Sequence, residues 1–317
     1  MFYFFILTLL ALVFLLLSGD LLIKGAVGVA ERLGIPKLIV GLTIVAFGTS
    51  APELVISIRA VLDGVSGLAI GNVVGSNIAN VLLVLGLPAA IFGLPLIERE
   101  IRRTYLIMLG STLLFVCICF FWELNRSSGI VLIVLFLIVI SDSIISNQKR
   151  FAKPEHSVNE VEVLDKTILS KQILLLLVGL VGLPLSANIF VDNAINIADG
   201  FGVSEVVIGL TMVAIGTSLP ELATMFMAII RKEKEMALGN IIGSNLFNLL
   251  GIIGISSFIS NITIPSELLQ FDLWLMVCSA FLLAPMIFRP KNLNRIWGLL
   301  YIMMYLAYMI LVINRGL

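Results

Sequence analysis

Two glutamates lie near the middle of long apolar stretches, where an ionised side chain is unfavourable. Glu53 falls within GLTIVAFGTSAPEL at 41–54, and Glu221 falls within GLTMVAIGTSLPEL at 209–222. A carboxylate at the centre of a membrane helix costs about 2.5–3.5 kcal/mol on insertion scales, and residues retained at that cost usually serve a function. Because the glutamate recurs in two matching segments, the sequence favours a binding role over simple helix packing.

Hydroxyl side chains precede each glutamate at helical spacing. Thr49 and Ser50 lie four and three residues before Glu53, so the three side chains share one face of a helix. Pro52 has no N–H and crowds the carbonyl of Gly48, which breaks the helix and frees carbonyl oxygens to face a cavity. The second half repeats the arrangement with Gly216, Thr217, Ser218, Pro220 and Glu221.

A second pair of motifs places amides and hydroxyls four residues apart. AIGNVVGSNIAN at 69–80 matches ALGNIIGSNLFN at 237–248. Small residues at this spacing also let membrane helices pack closely, and we expect this of Gly71, Gly75, Gly239 and Gly243. We interpret Asn72, Asn77, Asn240 and Asn245 as mainly structural. The candidate ligands of these motifs are Ser76, Asn80, Ser244 and Asn248.

The candidate ligands offer only oxygen atoms, from carboxylates, hydroxyls, amides and carbonyls. The single histidine, His156, lies in a polar stretch, and the three cysteines lack a metal-binding spacing. Such a site suits Na+, K+ or Ca2+ and does not suit zinc or copper. Without a phosphate-binding loop or a catalytic arrangement, the sequence predicts a protein that is not an enzyme, needs no cofactor and depends on an ion gradient.

Apolar stretches near 20 residues recur along the whole chain and predict an integral membrane protein. Of its 317 residues, 60% are hydrophobic and 13% are charged, whereas ordinary globular domains carry about 25% charged residues. The longest polar stretch, 149–171, is too short to bury a core and predicts a linker. The predicted spans are about 2–23, 38–60, 68–92, 104–122, 129–147, 173–193, 206–230, 237–261, 271–288 and 296–313.

The chain repeats itself at an offset of 168 residues. The glutamate motifs agree at 11 of 14 positions, and the Asn and Ser motifs agree at 7 of 12, both at that offset. Five spans per half is an odd number, so the second half should enter the membrane from the opposite face, as in many secondary transporters. We therefore predict an all-α membrane protein with ten transmembrane helices in two inverted-topology repeats, 1–148 and 172–317, joined by the linker. Broken helices would form the ion site at the midplane.

The distribution of basic residues predicts the orientation. If the N-terminus lies outside, 17 of the 20 Lys and Arg residues fall in cytoplasmic connections, and only Arg59, Arg126 and Arg315 lie outside. Cytoplasmic connections are enriched in Lys and Arg. The sequence therefore predicts that both termini are extracytoplasmic and that the linker is cytoplasmic.

GTSAPEL and GTSLPEL, each followed by GN-x-x-GSN, resemble the motifs of the cation/calcium exchanger superfamily, and the whole chain looks most like its compact prokaryotic sodium/calcium exchangers. The resemblance implies an antiporter of the cell (plasma or inner) membrane. It would exchange Na+ for Ca2+ by alternating access, about three Na+ per Ca2+, as the first and sixth spans slide against the other helices. It implies Na+, Ca2+ and the lipid bilayer as partners, with no nucleic acid and no protein partner.

The resemblance also implies a set of ligands. Ca2+ would be held by Glu53 and Glu221 with the carbonyls of Thr49 and Thr217. Na+ sites would add Ser50, Ser76, Ser218 and Ser244 with the carbonyls of Ala46 and Ala214, and Asn80 and Asn248 would complete the centre. Some relatives carry Asp at the position of Asn248, so the asparagine here predicts two central carboxylates and less dependence on K+.

Two other functions are compatible with the residues. A cation/proton exchanger could use Glu53 and Glu221 to bind protons, and a cation channel could also be built from broken spans. An intramembrane protease is disfavoured because Asp20 has Asn188, and not a second aspartate, at the matching position of the second half.

Overall fold

The structure is a computed structural model that describes residues 2–93, 101–151, 166–201, 214–288 and 294–316. Every long element in these ranges is a helix, as predicted. In chain order the helices are α1 (Phe2–Leu33), α2 (Lys37–Thr49), α3 (Ala51–Leu62), α4 (Ser66–Phe92), α5 (Ile101–Phe121), α6 (Arg126–Phe151), α7 (Lys166–Gly200), α8 (Ala214–Thr217), α9 (Leu219–Ile230), α10 (Lys234–Ile259), α11 (Leu268–Phe288) and α12 (Arg295–Gly316).

The described residues contain eight helices long and apolar enough to cross a membrane, or up to nine if the bent pair α2 and α3 forms one span. Helices α8 and α9 cover the later part of the predicted span 206–230, whose earlier part lies outside the described residues. The total of ten spans and the inverted relation of the halves stay predictions. Large apolar side chains such as Phe14, Leu137 and Met303 are exposed on the outer helices, as expected for contact with lipid.

Two helices are longer than the membrane spans predicted for them. The sequence predicted spans at about 2–23 and 173–193, but α1 reaches Leu33 and α7 runs from Lys166 to Gly200. The apolar pattern marks only the part of a helix inside the lipid, whereas polar residues can continue the helix beyond it. In α1, Asp20 and Lys24 form an ion pair of 2.8 Å one turn apart, which suits a helical backbone. Of the predicted linker 149–171, residues 149–151 are helical in α6 and residues 166–171 are helical in α7.

Helices α1 and α7 pack along each other through glycines. A Cβ at Gly179 would lie 2.5 Å from the backbone nitrogen of Leu22, and a Cβ at Gly25 would meet the backbone of Leu176. Only glycine allows backbones to approach this closely. The two long helices therefore form one packed pair.

The predicted helix breaks lie next to the two glutamates. Helices α2 and α3 are bent by 47°, and Ser50 at the break has φ −86° and ψ 9°. Ser218 takes nearly the same conformation, φ −87° and ψ 1°, between α8 and α9. Pro52 and Pro220 follow within the first turn of α3 and α9, where the absent N–H is tolerated.

Helices α4 and α10 form the buried centre of the protein. Each contains a π-helical stretch, Asn80–Leu85 in α4 and Phe247–Ile252 in α10. Such stretches are rare and often occur at functional sites, because they displace side chains from regular helical positions. Here the stretches include Asn80 and Asn248, two of the predicted ligands.

Close packing also joins the two halves. A Cβ at Gly239 would lie 2.5 Å from the carbonyl oxygen of Leu38, so α10 lies directly against α2, as expected for this glycine and for Gly243. Gly239 and Gly243 approach Leu38 and Leu42, whose counterparts in the repeat are residues 206 and 210. If the repeat holds, these would be the neighbours of Gly71 and Gly75, but they lie outside the described residues. The close approach expected of these two glycines stays a prediction.

Candidate ion-binding site

The two glutamates occupy matching positions at the starts of helices. Glu53 is the third residue of α3 and Glu221 is the third residue of α9, and each is 1% exposed. Their carboxyl groups lie close enough for the two negative charges to repel each other. The positive end of a helix dipole near each carboxylate offsets part of this repulsion. The remaining negative charge would attract cations.

The hydroxyl residues of the breaks lie beside the carboxyl groups. Ser50 donates a hydrogen bond of 2.9 Å to Oε1 of Glu221, so the break in the first half contacts the glutamate of the second. Ser50, Ser218 and Thr49 are at most 1% exposed, and Thr217 is also buried. The structure thus brings the four predicted hydroxyl residues into the buried interior next to the glutamate helices.

The carbonyl of Ala46 has partners along its own helix. It accepts a hydrogen bond of 3.0 Å from the Ser50 amide and one of 3.3 Å from the Thr49 hydroxyl. A carbonyl oxygen has two lone pairs, and the broken helix leaves this one near the bend. Its predicted counterpart Ala214 is the first described residue of α8.

The amides of Asn80 and Asn248 bind across the interface between the halves. Nδ2 of Asn80 donates to Oδ1 of Asn245 at 3.0 Å, and Nδ2 of Asn248 donates to Oδ1 of Asn77 at 3.0 Å. The two bonds are related by the repeat: the donors Asn80 and Asn248 lie 168 residues apart, and so do the acceptors Asn77 and Asn245. Both candidate ligands therefore donate their N–H groups to other protein residues, and their side-chain carbonyl oxygens stay available to bind an ion.

Several buried oxygen atoms of the predicted ligands have no hydrogen-bond partner among the described residues. A buried polar atom without a partner costs about 1–3 kcal/mol, and more if it is charged. A bound cation would compensate for that cost, since it needs several oxygen ligands at once. Of eight such side-chain atoms in the described part of the chain, six belong to predicted ligands: Oε2 of Glu53 and Glu221, Oδ1 of Asn80 and Asn248, and Oγ of Ser218 and Ser244.

Comparison with known proteins agrees with this geometry. The family model described as sodium/calcium exchanger protein matches residues 3–144 and 171–314, which is most of the chain. The chain belongs to the sodium/calcium exchanger family. The exchanger is therefore a membrane transporter and not an enzyme, and its family membership makes it a cation/calcium antiporter.

Individual relatives match over most of the chain. The exchanger is 31% identical to the sodium/calcium exchanger MaX1 of Methanosarcina acetivorans, over 96% of this chain and 97% of that protein. It is 37% identical to the inner membrane protein YrbG of Escherichia coli, over 77% of this chain and 76% of the relative. Its fold matches the solved structure of the sodium-calcium exchanger NCX_Mj soaked with 10 mM Na+ and zero Ca2+, with a TM-score of 0.82, 29% identity, and 95% and 96% of the two chains covered.

The asparagines interpreted as structural hold the glutamate helices of the exchanger in place. Asn72 donates to the carbonyl of Glu53 at 3.2 Å and to Oγ of Ser57 at 3.1 Å, which ties α4 to α3. Asn240 donates to Oγ1 of Thr224 at 3.0 Å and ties α10 to α9 in the same way. These bonds agree with the structural interpretation of Asn72 and Asn240.

Sequence reasoning missed one group of residues at the exchanger's centre. Met108 and Met276 are buried and lie within 4.0 Å of the amide nitrogens of Asn245 and Asn77. The signal was available, because the two methionines also lie 168 residues apart. It was overlooked because a methionine in an apolar stretch looks like ordinary core packing.

Proposed function

We propose that this exchanger carries Na+ in one direction and Ca2+ in the other by alternating access, with Glu53 and Glu221 as ligands shared by both ions. The observation that supports this most is the set of buried oxygen atoms without partners, which includes one oxygen of each carboxylate. Oxygen ligands suit both ions, and shared carboxylates make their binding competitive. Within the described residues no cluster of three or more His, Cys, Asp or Glu side chains offers another metal site.

The family resemblance suggests a stoichiometry of three Na+ to one Ca2+, which would make the exchange electrogenic. The two carboxylates carry two negative charges when ionised, which one Ca2+ neutralises and three Na+ exceed by one. Each cycle would then move one net charge. A tenfold Na+ gradient supplies about 1.4 kcal/mol per ion, and a potential of 100 mV supplies about 2.3 kcal/mol per charge. The total of roughly 6.5 kcal/mol sustains a Ca2+ gradient near 10⁴–10⁵ by the same relation.

We further propose that α1 and α7 move together to expose the site to either side. Their glycine-mediated packing lets them move as one pair, while α4 and α10 keep the ligands in the buried centre. Asp20 of α1 accepts a hydrogen bond of 2.6 Å from Arg231 after α9, so this pair also has a polar contact with the rest of the molecule. That contact would have to break or shift when α1 slides.

The proposal places the protein in the inner membrane with both termini outside, the linker inside and the halves 1–148 and 172–317 as inverted repeats. The name of the E. coli relative and the 17 to 3 distribution of basic residues support the location and the orientation. Matching contacts support the repeats, since the bonds of Asn80 and Asn248 are related by the offset of 168.

Transport by the purified protein in liposomes tests the proposal. Vesicles loaded with Na+ should accumulate radioactive Ca2+ when diluted into Na+-free medium at clamped pH, and a positive-inside potential should speed this uptake if three Na+ leave per Ca2+. Uptake driven by a pH gradient without Na+ would indicate a cation/proton exchanger. Ca2+ flux without any counter-ion would indicate a channel. Either result would contradict the proposal.

A further inference from the structure

A methionine and two asparagines form a chain of buried contacts that ends at the ion site. Nδ2 of Asn77 lies 4.0 Å from Sδ of Met276 on α11 and donates at 3.3 Å to the carbonyl of Asn245. Oδ1 of the same Asn77 accepts the 3.0 Å hydrogen bond from Asn248. All of these side chains are at most 3% exposed. Water therefore does not compete for their hydrogen bonds.

The same chain of contacts occurs a second time at the offset of 168. Nδ2 of Asn245 lies 3.9 Å from Sδ of Met108 on α5, and Oδ1 of Asn245 accepts the 3.0 Å hydrogen bond from Asn80. Each half thus supplies one methionine and two asparagines, and each chain of contacts crosses between the halves. Because the arrangement occurs at both related positions, chance packing at a single position does not explain it.

The methionines favour one orientation of the amides of Asn77 and Asn245. An asparagine amide has an oxygen and an NH2 group of similar size, and only its partners distinguish the two orientations. A thioether sulfur can accept a hydrogen bond weakly but cannot donate one. This favours an NH2 group that faces the methionine and an amide oxygen that faces the next asparagine. The backbone carbonyl of Asn245 adds a second acceptor for Asn77 and favours the same orientation.

This orientation is passed on to the candidate ligands. Since Asn77 and Asn245 present oxygen atoms, Asn248 and Asn80 must turn their NH2 groups toward them. Oδ1 of Asn248 and Oδ1 of Asn80 are then left buried and without a hydrogen-bond partner among the described residues. If the amide flipped, its N–H groups would point at the cation, and their partial positive charge would repel the cation.

We propose that Asn77 and Asn245 are positioning residues that hold the amides of Asn248 and Asn80 with their oxygens toward the transported ions, and that Met276 and Met108 orient the positioning residues. The inference rests on the proposed function and deepens it. It assigns a task to two asparagines that would otherwise only pack helices. It also explains why neither Asn80 nor Asn248 needs a charge to present an oxygen.

The decisive test compares an amide, whose two ends differ, with a carboxylate, whose two oxygen atoms are equivalent. Asn77→Leu removes the acceptor for Asn248, so the amide can flip and Ca2+ binding should weaken about tenfold, the equivalent of one lost ligand interaction. An aspartate presents an oxygen in either orientation and needs no partner to orient it. In the Asn248→Asp background, Asn77→Leu should therefore change the Ca2+ dissociation constant by less than about twofold, a difference near the resolution of calorimetry.

Calorimetric titration of purified protein with Ca2+, together with the KM and kcat of Na+-driven Ca2+ uptake, measures these effects. KM should change more than kcat, and the elution profile and Tm report folding. A purely structural role for Asn77 predicts the same loss in both backgrounds and would overturn the inference, as would unchanged binding in Asn77→Leu. Absence of Na+-driven uptake in the wild type would refute the proposed function alone, because the Ca2+ titrations still compare the variants.

A milder pair of variants applies if Asn77→Leu does not fold. Met276→Leu keeps the volume and apolar character but removes the sulfur, so Ca2+ binding should weaken about two- to fivefold. Met286→Leu on the same helix is the matched control, since Met286 is also buried and contacts no ligating asparagine among the described hydrogen bonds. Equal Ca2+ affinities of these two variants would contradict the role given to Met276.

Discussion

The hydroxyl of Ser50 donates a hydrogen bond of 2.9 Å to Oε1 of Glu221, although 171 residues separate them along the chain. The serine lies at the break between α2 and α3, and the glutamate lies in the first turn of α9 in the other half. A change in the position of either half therefore alters the surroundings of a carboxylate. This cross-contact makes the two halves one site.

Neutralising either glutamate should abolish exchange. Glu53→Gln or Glu221→Gln removes one of two buried charges that balance Ca2+, and loss of one partner of a buried charge pair costs about 3–5 kcal/mol. Ca2+ affinity should fall more than about 100-fold. Na+-driven Ca2+ uptake in liposomes measures the effect, and Glu267→Gln, at an exposed position, is the control. Near-normal exchange by either variant would show that the site is wrongly placed.

The serine hydroxyls should matter more for Na+ than for Ca2+. Ser50→Ala removes a predicted Na+ ligand and the hydrogen bond to Glu221, and we expect the KM for Na+ to rise about tenfold with a smaller change for Ca2+. Ser256→Ala is the control, because Ser256 is equally buried, belongs to neither motif, and has a hydroxyl without a partner in the described part of the chain. The assignment fails if both variants change Na+ dependence alike.

Asn248 should tune ion selectivity. Asn248→Asp adds a third carboxylate without changing the size of the side chain, so the site would carry one more negative charge when ionised. We expect the variant to fold and to gain dependence on K+ or on pH, which parallel flux assays with Na+, K+ and H+ varied separately can measure. Identical ion dependence in variant and wild type would rule out a selectivity role for this position.

Close packing between the halves should limit substitution at Gly243. A Cβ there would lie 2.7 Å from the Cβ of Ala46 and would also meet the Leu42 carbonyl. Gly243→Ala should therefore destabilise the protein by about 1–3 kcal/mol, as overpacking does, and lower its Tm. Gly110→Ala in α5 is the control, since no described atom lies within 4 Å of a Cβ at that position. A Gly243→Ala variant with the Tm of that control would argue against tight contact of α2 and α10.

Local features of the chain were predictable to different degrees. The helix breaks at Ser50 and Ser218 followed from the prolines, because an absent N–H acts wherever the chain goes. The ends of α1 and α7 did not follow, because polar residues continue a helix beyond the lipid without leaving an apolar pattern. Asn77 looked like helix packing, since nothing in a small-residue motif shows which partner an amide meets.

By itself, the sequence determined that the protein is a helical membrane protein with a repeat of 168 residues, and that two carboxylates lie in its apolar stretches. Hydrophobic length and the cost of a buried charge are properties of each segment, so they can be read without knowing the fold. Only the tertiary structure decided that Ser50 meets Glu221 and that the amide oxygens of Asn80 and Asn248 are left without partners. Hydrogen bonds act over about 3 Å, so partners that are distant in sequence become known only when the helices that carry them are packed together.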